Sequence, residues 1–236
     1  MSLTGRCALV TGASRGIGHA VAQRLVASGA DVVMVARGAE VLTAAAEALG
    51  PHAHPLAGDI SDPATVYALA DTMAAQGLQP DILINNAGLF SLAPLATMAP
   101  ADFTEMIQVN LVGPFLLLRS LVPGMTARGA GHVVSIGSVA DRAVFPGNGA
   151  YAASKYGQRA MHEALRQELR GTGVRCTLIS PAATDTPIWD PIDPDHQPGF
   201  PTRASMLRPE DVAEAVHWAV LQPAHVTIDE LRLSSS

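Results

Sequence analysis

One pattern constrains this chain more than any other. Short, almost continuously apolar runs alternate with stretches whose apolar residues recur at helical spacing. Residues 6–11, 31–36, 54–57, 81–85, 132–136, 174–179 and 226–233 read as strands. Residues 17–27, 40–49, 63–75, 103–128, 151 to about 170 and 211–221 read as helices. A strand that is apolar throughout is buried on both faces, so the alternation predicts an α/β fold: a doubly wound parallel sheet with helices on both sides. No internal repeat or linker divides the chain, and residues 1–236 are expected to form a single domain. The one long irregular span, residues 184–206, holds five prolines and two aromatics. A loop of that length in a compact domain is expected to bind or cover a substrate.

Composition narrows the partners. Hydrophobic residues make up 48% of the chain and charged residues 15%, which suits a large core; the aromatic share of 4% leaves that core to Ala, Val, Leu and Ile. The formal charge of −6 argues against a nucleic-acid partner bound by phosphate neutralisation. Residues 1–9 show no charged segment followed by an apolar run, so no secretory signal is expected. The most apolar stretch, residues 111–122, reads as too short to span a bilayer and is interrupted by Pro114 and Arg119. Cys7 and Cys176 lie in strand-like runs and read as buried thiols rather than a disulfide. The histidines are scattered without acids or cysteines at ligand spacing, so no metal is expected. These features together predict a cytoplasmic protein with neither a membrane nor a nucleic-acid partner.

Two motifs carry chemistry. Gly12-Ala13-Ser14-Arg15-Gly16-Ile17-Gly18 follows the first strand and opens the first helix, where a backbone can approach a pyrophosphate and present it to a helix N-terminus. The second strand ends Val35-Ala36-Arg37, without the acid that holds ribose hydroxyls in NAD-specific folds, and Glu40 lies too far into the next helix to replace it. Arg15 and Arg37 converging on one site suit a ribose 2′-phosphate, so the cofactor read from these residues is NADP(H). Farther on, Tyr151 and Lys155 stand four apart at the start of a helix and so share a face. A cation beside a phenol favours the phenolate, and the pair reads as an acid/base whose Tyr151 pKa is lowered.

Thr11-Gly12-Ala13-Ser14-Arg15-Gly16-Ile17-Gly18, Asn85-Asn86-Ala87-Gly88, an upstream Ser and Tyr151-x-x-x-Lys155, in this order and spacing over nearly the whole chain, resemble the short-chain dehydrogenase/reductase family. The resemblance implies a Rossmann-type sheet of strand order 3-2-1-4-5-6-7 and a catalytic tetrad of Asn110, Ser138, Tyr151 and Lys155. Tyr151 would exchange the proton with the carbonyl oxygen, Lys155 would hold the nicotinamide ribose, Ser138 would bond the substrate oxygen, and Asn110 would hold a water linking Lys155 to solvent. Ser138 is preferred to Ser135 because it lies thirteen residues before Tyr151, although Gly137 stands where the family often has a second Ser. The implied cofactor contacts are Gly12, Ser14, Arg15, Gly16, Ile17, Gly18, Arg37, Asp59, Ile60, Asn86, Ala87, Gly88, Tyr151, Lys155, Pro181, Thr184 and Thr186. Ala182 replaces a usual Gly and is expected to narrow the pocket.

The expected activity is reduction of a small ketone or aldehyde with NADPH, or the reverse oxidation of an alcohol. A 3-oxoacyl-thioester (acyl-carrier-protein) reductase is the alternative, disfavoured by Asp185, Asp190, Asp193 and Asp195 against a single Arg203 in the long loop. A non-enzymatic NADP(H)-sensing protein is a further alternative, at odds with the complete tetrad. Phe90, Leu92, Val144, Phe145, Trp189 and Phe200 are the expected pocket walls. The helices from Phe103 and Tyr151, with Ala152, Ala153, Ala160 and Ala164, resemble those through which family members pair, so a homo-oligomer, tetramer or dimer, is expected.

Overall fold

A computed structural model describes residues 2–236. Seven parallel strands, β1 (Cys7–Thr11), β2 (Asp31–Ala36), β3 (Ala53–Ala57), β4 (Ile82–Asn85), β5 (Gly131–Ile136), β6 (Val174–Pro181) and β7 (Glu230–Leu233), form one sheet of order β3-β2-β1-β4-β5-β6-β7. Helices α1 (Gly16–Val26), α2 (Ala39–Leu49), α3 (Pro63–Ala75), α4 (Pro100–Ile107), α5 (Gly113–Arg128), α6 (Gly149–Glu168) and α7 (Pro209–Val220) cover it. This is the predicted α/β Rossmann-type architecture.

The two-residue period of a strand divides the apolar runs between two cores. Ala8, Val10, Val32, Met34, Ile82, Ile84 and Val134 pack with Leu25 of α1, Leu42 of α2 and Val212 and Val216 of α7. Leu9, Val33, Val35, Leu83 and Val133 pack on the other face with Val66 and Leu69 of α3 and Leu117 and Met125 of α5. Helix starts follow local chemistry as well. Asp62 caps α3 by accepting from the backbone N–H groups of Ala64 and Thr65, with Pro63 in the first turn.

Three expectations change. The helix expected over 103–128 begins at Pro100 and contains a π-helical turn, Gln108–Val112, between α4 and α5. The whole run Pro100–Arg128 is 29 residues, long and apolar enough to cross a bilayer by length and composition, which revises the reading from 111–122. Half of its apolar window is buried inside the fold. Leu116, Leu117, Leu118, Val122 and Met125 supply that contact with the sheet. The last strand is confined to Glu230–Leu233, because residues 226–229 make no ladder with β6.

Two buried imidazoles sit under the sheet. His132 Nε2 is 2.8 Å from Thr177 Oγ1 and His162 Nδ1 is 2.9 Å from Ser135 Oγ. Burial pushes His132 down to about 3 and His162 down to about 4. Both are neutral in the native state, whereas the unfolded chain protonates them near pH 6.5. Their contribution is therefore complete above pH 6.5 and lost as pH falls through the folded values, at about 1.4 kcal/mol per pH unit for each group. Thermal unfolding between pH 7 and pH 5 should show Tm dropping on the acid side. A doubly substituted His132→Asn/His162→Asn protein should show a shallower drop, and a flat profile in the parent would contradict the burial.

Candidate active site

The strand order reverses between β1 and β4, the switch point at which open α/β sheets form a crevice beyond the carboxyl ends of their strands. A cavity of about 1110 Å³ occupies that position. Thr11, the last residue of β1, ties the two strand ends together. Its hydroxyl donates to the Ile84 carbonyl (3.3 Å) and accepts from the backbone N–H groups of Asn86 and Ala87 (3.0 Å each). Asn86 Nδ2 completes the tie by donating to the Thr11 carbonyl at 2.8 Å.

At one end of the crevice the glycine turn brings α1 against β1. Gly12 and Gly16 have φ of 65° and 57°, which only glycine adopts freely. A Cβ at Gly18 would stand 2.2 Å from the Gly12 carbonyl oxygen. Arg15, extended at the N-cap of α1, provides no side-chain cap, and the first turn holds no acid. The leading N–H groups of α1 therefore stay available for an anion. Gly12, Ser14, Arg15, Gly16, Ile17, Arg37, Asp59, Ile60, Asn86, Ala87 and Gly88 all line the cavity. Gly18 is buried behind the turn and acts through packing. Arg37 is about half exposed and reaches Glu105 of α4 at 3.3 Å. Asp59 Oδ1 accepts from the Ser61 backbone and hydroxyl.

At the other end the structure brings Ser138, Tyr151 and Lys155 to one wall. Ser138 follows β5 and caps the 3-10 turn Val139–Asp141, its Oγ accepting from Ala140 N at 3.1 Å. A hydrogen bond from Ser138 favours the Tyr151 phenolate, but burial dominates and pushes Tyr151 up to about 12, with the charge of Asp141 acting in the same direction. The expected lowering of Tyr151 is thus not found in this geometry. Lys155 Nζ lies 5.8 Å from the Tyr151 ring centroid and is turned to the Ile136 carbonyl and Gln158 Oε1, both at 3.0 Å. Burial brings Lys155 down to about 8, partly offset by Asp141.

Asn110 does not line the cavity. It is fully buried in the π turn, where Oδ1 accepts from Leu89 N and Nδ2 donates to the Leu89 carbonyl and Ser154 Oγ. Its amide is consumed in holding the segment after β4 against α6. Gly137 has a local cause: a Cβ there would stand 2.8 Å from Asp141 Oδ2 and 2.9 Å from Ser180 Oγ. Ala182 has negative φ, since Asp193 is the sole non-glycine residue with positive φ among the described residues, so alanine sits there without backbone strain. Pro181, Thr184 and Thr186 line the cavity, and the Thr186 side chain lies against Gly16.

The long loop is more ordered than its composition suggests. Arg203 reaches Asp185 and Asp190 at 2.7 Å each, its backbone N–H donates to Asp195, and Trp189 Nε1 donates to the Thr184 carbonyl. Phe90, Phe145, Trp189 and Phe200 wall the reactive end, whereas Leu92 and Val144 do not. Phe90 stacks edge-on against Tyr151 (4.7 Å) and Trp189 (5.2 Å), and Phe200 against Trp189 (6.1 Å) and Phe145 (6.3 Å). Thr11, Ser154, Gln158, Asp141 and Ser180 were not singled out from the sequence. Only Thr11, inside the glycine motif, and Gln158, one turn beyond Lys155, carried a positional hint.

The pattern of the short chain dehydrogenase family matches residues 6–197. Glycine betaine reductase of Emericella nidulans is 40% identical over 97% of this chain, which spans 18% of that relative's length. An NADP-dependent 3-hydroxy acid dehydrogenase of Salmonella typhi is 33% identical over 95% of this chain and 93% of its own. Among solved structures, a metagenomic short-chain oxidoreductase in complex with NADP is similar at TM-score 0.85 and 35% identity, over 100% of this chain and 99% of the other. The closed form of serine dehydrogenase complexed with NADP+ gives TM-score 0.88 and 32% identity, over 96% and 93% of the two chains.

The close approach at Gly18 is directly testable. Gly18→Ala should lower stability by about 1–3 kcal/mol, read as a fall in Tm, because the methyl must displace α1 from β1. Gly38→Ala, where nothing lies within 4 Å of the added carbon, should leave Tm nearly unchanged.

Proposed function

The chain belongs to the short chain dehydrogenase family and is an NADP(H)-dependent oxidoreductase of CH–OH and C=O groups; on that premise we propose that it reduces small, partly apolar carbonyl compounds, or oxidises the matching alcohols. The observation that carries this reading is the single crevice running from the glycine cradle to the wall of Ser138, Tyr151 and Lys155. When bound, NADPH supplies the hydride. The Tyr151 hydroxyl, protonated at neutral pH, gives its proton to the carbonyl oxygen, and Ser138 orients that oxygen. Lys155 spends two of its three donors on Ile136 and Gln158, and the third would serve the nicotinamide ribose. Arg15 and Arg37 would hold the 2′-phosphate, for which Arg37 would have to leave the exposed Glu105. Asn110 positions the segment after β4 rather than touching the reacting atoms.

The substrate end favours molecules without a carboxylate. Among the described residues Arg15, Arg37 and Lys155 are the only cations lining the cavity, all assigned to the cofactor, and Arg203 is engaged by Asp185 and Asp190. The same engagement and the exposed Asp190 and Asp193 speak against an acidic carrier protein. The aromatic wall supports a second reading, a carbonyl compound bearing a quaternary ammonium, which rings of this kind attract; the relative named glycine betaine reductase agrees with it. Exposed Phe103, Phe115 and Tyr156, together with Ala153, Ala160 and Ala164, support a homo-oligomer built on α4, α5 and α6. Phe115→Asp should shift the mass measured by light scattering towards the monomer.

NADPH oxidation should be followed with ketones, aldehydes, diketones, 3-oxo esters, 3-oxo acids and trimethylammonioacetaldehyde. Tyr151→Phe should lower kcat by about a hundredfold or more. Arg37→Ala should raise KM for NADPH about tenfold while leaving NADH little changed. Preferred turnover of 3-oxo acids would overturn the substrate assignment, and an equal loss with both cofactors would overturn the role of Arg37.

A further inference from the structure

Asp141 is a carboxylate with no exposed side-chain surface, placed in the turn that Ser138 starts. Its Oδ2 accepts from Ser180 Oγ of β6 at 2.5 Å. Its Oδ1 accepts from Arg142 Nε at 2.7 Å and faces Arg159 Nη1 of α6 at 3.9 Å. Neither cation is devoted to it: Arg142 also meets Glu230 of β7 at 2.6 Å, and Arg159 meets Glu163 at 2.8 Å. Gly137 leaves the space that Asp141 and Ser180 fill. Tyr151, Lys155 and Arg159 recur every four residues on α6 and so share the face turned to this turn.

We propose that Asp141 is a positioning residue of the active site, whose buried negative charge keeps Lys155 in its ammonium form at working pH while its bonds to Ser180 and Arg142 fix the turn that presents Ser138. A carboxylate that needs two guanidiniums, a serine and a missing Cβ is costly to bury, and a neutral turn would avoid that cost. What the charge adds is a field at a lysine already stripped of water. Burial drives Lys155 towards the neutral amine, and the charge of Asp141 opposes it. The same charge disfavours the Tyr151 phenolate, so it holds both groups in the protonated forms that carbonyl reduction requires. The neutral Ser138, Phe90, Gln158 and Ile136 carbonyl also face the pair. His162, also on α6, is kept uncharged by burial.

The inference rests on the proposed roles of Tyr151 and Lys155, so its test has two readouts. The first is kcat/KM for NADPH-dependent reduction against pH, and the second is the Kd of NADPH against pH by fluorescence, which needs no turnover. In the parent both should weaken as pH rises through about 8, where Lys155 loses its proton. Asp141→Asn should move both alkaline limbs to lower pH by about one unit, since removing the negative charge destabilises the ammonium. Asp141→Ser, smaller and also uncharged, serves if the Asn protein does not fold and should shift the limbs in the same direction. Ser180→Ala keeps the charge and should leave the limbs in place, whatever it does to Tm. Limbs of an uncharged variant that superpose on the parent would overturn the proposal, as would an equal shift in Ser180→Ala. A displaced NADPH-binding limb in a protein that turns over no tested carbonyl would uphold the role of Asp141 while refuting the substrate reading.

Discussion

The crevice depends on one close approach: helix α1 packed so tightly on the end of β1 that no carbon fits between Gly18 and the Gly12 carbonyl. That contact places the unsatisfied N–H groups of α1 at the edge of the sheet where the strand order reverses. It works only because the end of β1 is itself held rigid. Thr11 spends its hydroxyl on three backbone groups of the segment Ile84–Ala87 and Asn86 returns a bond to the Thr11 carbonyl, so the ends of β1 and β4 are tied together beside the glycine turn. The other cavity walls are hung from strand ends in the same plane: Ser138 after β5, and Thr184 and Thr186 after β6. A parallel sheet delivers all of its carboxyl ends to one edge, which is why residues so distant in the chain meet there.

The strands and most helix boundaries were legible because apolar period and glycine position are local properties. Continuous runs such as Val32–Val35 can be satisfied only between two helical layers, so the layering followed from the pattern, whereas the strand order was legible only through the family resemblance. What stayed hidden was set by packing across the fold. Nothing around Asn110 announces a π turn; its amide is pulled into service by Leu89 and Ser154, which only tertiary structure brings near. Leu92 and Val144 looked like pocket walls by their hydrophobicity, yet neither lines the cavity, and Val144 is 70% exposed. Hydrophobicity tells that a residue gains from burial, not that it obtains it.

Electrostatics was the least legible layer. The spacing of Tyr151 and Lys155 puts them on one face but says nothing about which way the ammonium turns or how much water reaches it. In the fold the ammonium is engaged by a carbonyl and an amide, and desolvation is the leading influence on the phenol.

The two departures from the family pattern, Gly137 and Ala182, can be weighed by the same reasoning. At 182 the backbone has no need of glycine, and an alanine there follows at no conformational cost. At 137 the reverse holds: any side chain would collide with the carboxylate and hydroxyl behind it, so glycine is demanded by Asp141 and Ser180. One substitution is tolerated and the other is coupled. A coupled departure that installs a buried charge beside the catalytic wall, against the usual cost of desolvation, points to a function for the charge rather than to drift in the turn.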